Sequence, residues 1–118
     1  MRRSLVTVVE TATFIRDAES LFSEQERSDL ILFLAANREA GVVMADTAGV
    51  RKLRWAIKGR GKQGGARIIY YFRNESFPLL LLNVFAKNEK VNLTKAERNE
   101  IKKRLPDWID AYTKRKKT

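Results

Sequence analysis

The chain has 118 residues and is strongly basic, with 24 Lys and Arg against 14 Asp and Glu and a formal net charge of +10. Its length suits one domain with a core of its own, and a hydrophobic content of 44% argues against general disorder. The absence of cysteine and histidine excludes disulfides, thiolate zinc sites and catalysis by either side chain.

No apolar run is long enough for a signal peptide or a membrane span, and the run over residues 79–82 suits a buried strand. We therefore expect a cytoplasmic protein with no membrane partner. The positive charge predicts nucleic acid, another anionic surface or an acidic protein as the partner.

The first 22 residues predict a strand followed by a short helix. Residues 5–10 are rich in β-branched side chains, which favour a strand. Thr11 and Thr13 are both suitable N-caps for a helix. Its apolar stripe runs from Phe14 to Phe22.

A second helix should follow with almost no linker. Ser23 and Glu26 match a capping box, so we expect the helix to begin at Ser23 and to end before Gly41. Two consecutive amphipathic helices of this kind form a helical hairpin. Residues 41–50 show no strong pattern and are predicted to be a loop.

Three strands are predicted next, joined by turns. From residue 51 the hydrophobic period becomes two, with Leu53 and Trp55 on one face and Lys52 and Arg54 on the other. A glycine-rich turn over residues 59–65 leads to a strand over 66–73. Residues 77–86 form a third strand, which is apolar on both faces and should therefore lie inside the sheet.

The C-terminal part predicts one more helix. Thr94 and Glu97 form another capping box, and the apolar stripe behind it includes Ile101 and Leu105. Pro106 should kink the helix or restart it.

These elements give the order β-α-α-β-β-β-α and an α+β fold, with a small antiparallel β-sheet, an N-terminal helical hairpin and a C-terminal helix. We expect the helices to lie on one face of the sheet. Residues 1–113 should form a single domain, and residues 114–118 a disordered basic tail.

The most informative segment is the basic hairpin, residues 51–73, which holds eight Lys and Arg and no acidic residue. Charge concentrated in one hairpin indicates a surface for a polyanion. By strand alternation Tyr71 shares a face with Arg67 and Arg73, which makes it the better candidate for stacking on a base.

The side chains of this hairpin allow two kinds of function. Lys and Arg bind phosphate and stabilise charge that develops on it, and RNA supplies its own nucleophile, the 2′-hydroxyl. RNA cleavage without a metal or cofactor is therefore the hydrolytic reaction that this residue inventory supports best. The alternative is a non-catalytic RNA- or ribosome-binding module that uses the same surface, and from charge alone passive binding is the more common explanation.

Several strings in the chain resemble the RelE superfamily of bacterial toxins, in particular its HigB-like branch. They are V-R-K-L-R-W at 50–55, K-G-R-G-K-Q-G-G-A-R-I-I-Y-Y-F at 58–72 and F-A-K-N-E-K at 85–90. The phrase F-L-A-A-N at 33–37 is similar to the second helix of that family.

The resemblance implies a RelE-like fold and the toxin of a type II toxin–antitoxin system. Such toxins are ribosome-dependent mRNA endonucleases, or mRNA interferases, that enter the decoding site and inhibit translation by cutting the message through 2′-hydroxyl attack on the adjacent phosphate. The implied partners are the ribosome, mRNA and a cognate antitoxin, often of the helix-turn-helix type.

The resemblance also suggests roles for most basic residues of the hairpin and for Lys87. The implied catalytic residues are Arg67, on the scissile phosphate, and Lys58, Arg60 and Lys87 near it. The implied RNA-binding residues are Lys52, Arg54, Lys62 and Arg73, with Tyr71 as the stacking candidate. Some RelE toxins carry a tyrosine soon after the last strand, but the next one here is Tyr112 in the final helix, so the identity of the general base stays open.

Overall fold

The computed structural model describes residues 4–57 and 65–116, and the side chains up to residue 113. Its helices are α1 (Ala12–Glu19), α2 (Glu24–Ala36) and α3 (Lys95–Lys116). Its strands are β1 (Val8–Glu10), β2 (Val42–Val43), β3 (Val50–Trp55), β4 (Ala66–Tyr71) and β5 (Leu79–Ala86). The predicted α+β class is confirmed.

The strands form one mixed sheet in the order β1-β5-β4-β3-β2. β5, β4 and β3 are antiparallel neighbours, as the predicted three-strand meander requires. β2 adds an antiparallel strand beside β3, whereas β1 pairs with β5 in parallel. β5 thus lies inside the sheet, as its two apolar faces predict. β1 covers only three of the six residues predicted for the first strand, and β2 lies in the segment predicted to be a loop.

The helices lie on both faces of the sheet, so the prediction of a single covered face is wrong. Phe14, Leu30 and Leu34 of α1 and α2 pack on one face, against alternate residues of β4 and β5. Ile101 and Leu105 of α3 pack on the other. All six residues of β4 are buried, and a strand with two apolar faces requires a cover on each.

Helices α1 and α2 start at the capping residues that the sequence predicts. The Thr11 hydroxyl accepts from the Phe14 N–H at the start of α1. At the start of α2, Ser23 and Glu26 form the complete capping box. These contacts satisfy backbone donors that the first turn of a helix leaves without partners.

α3 continues through Pro106, so of the two predicted outcomes, a kink or a restart, the helix does not restart there. Proline removes one backbone hydrogen bond, but Leu105 before it is buried against the sheet and Ile109 after it packs on the same cluster. Three residues of the predicted tail, 114–116, belong to this helix, and the domain boundary at residue 113 stays a prediction.

Candidate nucleic-acid interface

Several basic residues of the hairpin lie on the α3 face of the sheet, whereas Arg51 points to the opposite face. Val50 of β3 and Ile69 and Tyr71 of β4 belong to the apolar cluster under α3. Because side chains alternate along a strand, Lys52, Arg54 and Arg67 point to the same face as these residues. The predicted alternation of β3 is confirmed, since Leu53 and Trp55 pack on the opposite cluster.

Arg67 is the buried member of this group, with only 6% of its surface exposed. It is flanked in the sheet by Arg54 on β3 and by Phe85 on β5. Directly paired residues of antiparallel strands have Cα atoms about 4.5–5.5 Å apart, so two cationic side chains project side by side. Like charges placed in this way repel each other, which is a cost that a bound anion would offset.

Lys87 lies at the same end of the sheet. Its backbone N–H donates to the carbonyl oxygen of Gly65 at 3.0 Å, two residues before Arg67. Gly65 has a φ of +65°, and a Cβ atom there would lie 2.3 Å from the Trp55 carbonyl oxygen. Glycine is therefore required at this point, where the chain enters β4.

The turn between β5 and α3 is fixed by an ion pair that the sequence analysis missed. The Lys90 ammonium contacts both carboxylate oxygens of Glu97 at 2.6 Å and lies 5.0 Å from the centre of the Phe85 ring. Glu97 also accepts from the Thr94 N–H, which completes the predicted capping box. Lys90 lies in the turn before α3, seven residues ahead of Glu97, so the pair does not follow from side-chain spacing within a helix.

The environment of Glu97 favours its ionised form. Burial by itself would raise the pKa of Glu97, but the hydrogen bonds from Lys90 and from the Thr94 N–H outweigh this and hold the pKa below its usual value. Glu97 therefore carries its negative charge at neutral pH and holds Lys90 over Phe85.

Tyr71 is more enclosed than a free stacking platform would be. Its side chain is 7% exposed, and its ring packs edge-on against Phe77 with centroids 6.3 Å apart. It lines a cavity of about 590 Å³ beside α3, and Arg73 and Lys102 line the same cavity. A stacking partner would reach Tyr71 through this cavity.

The predicted site residues thus fall into two groups along the α3 face. Arg54, Arg67 and the backbone of Lys87 lie at the end of the sheet where β4 begins, while Tyr71 and Arg73 lie at the other end of β4. Lys52, half-buried on β3, lies between them. Lys58, Arg60 and Lys62 lie outside the described residues.

Two general features bear on the kind of protein this is. No helix in residues 4–57 and 65–116 is long and apolar enough to cross a membrane. In the same ranges no group of three or more Asp or Glu residues is placed to hold a metal ion.

A comparison with protein families agrees with the resemblance found in the sequence. The family model described as the RelE toxin of the RelE / RelB toxin–antitoxin system matches residues 7–116, which include every described strand and helix. The matched range also contains all the predicted site residues. This chain therefore belongs to the RelE toxin family.

Proposed function

We propose that the protein is a ribosome-dependent mRNA endonuclease of the HigB-like branch, which cuts the message by 2′-hydroxyl attack without a metal ion or cofactor. The observation that carries this proposal is the buried Arg67, placed between Arg54 and Phe85 with Lys87 at the same end of the sheet. A passive RNA-binding surface needs exposed cations only, whereas a phosphate at Arg67 would be drawn into the sheet and away from water.

In the proposed reaction the 2′-oxygen forms a bond to the adjacent phosphorus, and the bond from phosphorus to the 5′-oxygen of the next nucleotide breaks. The 2′-hydroxyl loses its proton to a base, and the departing 5′-oxygen takes up a proton from an acid. The products are a 2′,3′-cyclic phosphate and a 5′-hydroxyl.

Arg67 is the residue we assign to the phosphate. A guanidinium presents a planar pair of donors to two phosphate oxygens, and these bonds strengthen as charge develops on them. Burial reduces screening by water and so increases this stabilisation. Lys87, Lys58 and Arg60 are the proposed source of the acid and the base.

The exposed Arg54 and the half-buried Lys52 are proposed to hold the RNA backbone. Contacts of this kind position the substrate and contribute affinity that falls with salt, but they carry little sequence information. The ribosome, cytoplasmic mRNA and an antitoxin of the helix-turn-helix type complete the proposal as partners.

The proposal is tested by translating a message in vitro with purified toxin and mapping the new 5′ ends by primer extension. Arg67→Ala should abolish the cuts while binding to ribosomes falls only modestly. Arg16→Ala is the matched control, because Arg16 carries the same charge on α1 with its side chain 74% exposed. If the wild type binds ribosomes or RNA but leaves the message intact, the protein is a binding module and the catalytic assignments are wrong.

A further inference from the structure

The cavity beside α3 lies on the same face of the sheet as Arg67, at the opposite end of β4. Tyr71 on its wall is four residues after Arg67, which corresponds to about 13 Å along a strand. Leu105 and Ile109 of α3 and Ala48 from the β2–β3 turn supply its apolar walls. A volume of about 590 Å³ is ample for one planar aromatic ring.

The rim of the cavity is cationic. Arg73 and Lys102 contribute two positive charges against the single negative charge of Asp110. Arg73 and Lys102 are both exposed, so each can reach an anion at the mouth of the cavity. An aromatic wall with cations at its edge suits a ligand that is itself a flat ring attached to a phosphate.

Along α3, Arg98 lies between the Lys90–Glu97 ion pair and the cavity at Lys102. α3 begins beside Phe85, where Lys90 binds Glu97, and passes Tyr71 and Arg73 further along. Arg98 lies one helical turn before Lys102, and residues four apart share one side of a helix. Its Nε atom is buried and has no hydrogen-bond partner in the part of the chain that the structure describes.

We propose that this cavity binds one nucleobase of the RNA substrate, with Tyr71 and the α3 side chains against the base and Arg73 and Lys102 on its phosphate. The base belongs to a nucleotide next to the pair that flanks the scissile bond, because the cavity is displaced along β4 from Arg67. This inference rests on the proposed function and adds a determinant of sequence preference that is separate from the catalytic group. An acidic segment of a protein partner is the competing occupant.

Binding of a base is tested first with nucleotides alone, which makes this step independent of catalysis. Nucleoside 5′-monophosphates are titrated into ¹⁵N-labelled protein, with ribose 5-phosphate as the probe that lacks a base. We expect saturable shifts of the backbone amides of Ala48, Tyr71 and Lys102 with at least one nucleotide, and no comparable shift with ribose 5-phosphate. Equal shifts with both probes, or no shift at these residues, would overturn the proposal.

Sequence preference is tested second, on translated messages. Thr113→Trp places a bulky side chain on the wall of the cavity, and Lys102→Ala removes a rim charge. Thr113→Trp should still cut, but the relative cutting of the four bases at one position beside the cut should change by at least about fivefold, the lower range of base stacking. Lys102→Ala removes only a phosphate contact, so it should weaken the cutting by a similar factor whichever of the four bases stands at that position. Lys103→Ala is the matched control, since Lys103 is exposed, adjacent in sequence and outside the cavity lining.

The outcomes separate this inference from the proposed function. If the wild type cuts no message, the proposed function is wrong, and the nucleotide titration still decides whether the cavity takes a base. If Thr113→Trp keeps the base preference of the wild type, or Lys102→Ala cuts as well as Lys103→Ala, the base site is wrong while cleavage stands. If Thr113→Trp weakens only antitoxin binding, the cavity belongs to a protein partner and the proposal fails.

Discussion

Replacing Tyr70 by phenylalanine should destabilise the fold far more than the same change at its neighbour. Tyr70 is fully buried between α2 and the sheet. Its hydroxyl donates to the Arg38 carbonyl at 2.9 Å and accepts from the Gly41 N–H at 2.8 Å. It therefore ties the end of the helical hairpin to the centre of the sheet.

The size of the effect follows from the two backbone groups that Tyr70→Phe leaves without a partner. An unsatisfied buried polar group costs about 1–3 kcal/mol, so the two groups together should lower the free energy of unfolding by about 2–6 kcal/mol. The ring packing is kept and adds no further loss. At an unfolding entropy of about 2.1 cal/mol/K per residue, 118 residues convert this loss into a fall in Tm of about 8–24 °C.

Tyr71→Phe is the matched control. Tyr71 is also buried, but its hydroxyl makes no hydrogen bond within residues 4–57 and 65–113. Its loss should change the free energy of unfolding by less than about 0.5 kcal/mol. Urea unfolding followed by circular dichroism measures both variants. Equal changes for the two variants would show that the Tyr70 hydroxyl does not link the hairpin to the sheet.

Three further predictions concern other parts of the candidate site. Gly65→Ala should lower the free energy of unfolding by about 2 kcal/mol or more in urea melts, because the new Cβ lies 2.3 Å from a backbone oxygen and φ is positive. A Gly65→Ala variant as stable as the wild type would refute the clash. The pKa of Glu97 is lowered in the folded state, so the stability that Glu97 contributes is present above its usual pKa and is lost as the pH falls below about 4. Glu97→Gln should therefore have a lower free energy of unfolding than the wild type at neutral pH. A difference between the two proteins that does not narrow on acidification would contradict this. Arg54→Ala should reduce the slope of log affinity against log salt by about one in RNA titrations, and an unchanged slope would remove Arg54 from the interface.

The parts of the fold that sequence reasoning predicted depend on short-range signals. Ser23 with Glu26 and Thr94 with Glu97 lie within one helical turn, so their capping boxes can be read directly from the chain. The alternation of Leu53 and Trp55 against Lys52 and Arg54 is equally local, and the structure confirms it.

The features that were missed depend on contacts between distant residues. Val42 and Val43 form a strand because they pair with Lys52 and Arg51 of β3, and two residues carry too little pattern to show this. The position of α3 depends on which face of β4 and β5 remains uncovered after α1 and α2 have packed. Amphipathicity indicates that a helix has a buried side, but it does not indicate which surface that side covers.

In the candidate site, too, the local feature was predicted and the feature that depends on distant residues was missed. The cluster of cations in residues 51–73 is visible in the sequence, whereas the burial of Arg67 beside Phe85 requires the register of three strands. Arg38 is another charged residue whose burial has no local signal. It is 2% exposed and is held by Glu75 and by the carbonyls of Ser4 and Ala35.

The central claim is that the Arg67 site cuts mRNA through the 2′-hydroxyl of the message itself. The most direct test programs ribosomes with a synthetic message and with the same message carrying a single 2′-deoxynucleotide on the 5′ side of the mapped cut. Our account predicts that wild-type protein leaves a 2′,3′-cyclic phosphate on the first message and does not cut the second at that position, and that Arg67→Ala cuts neither. Equal cutting of both messages by the wild type would contradict it.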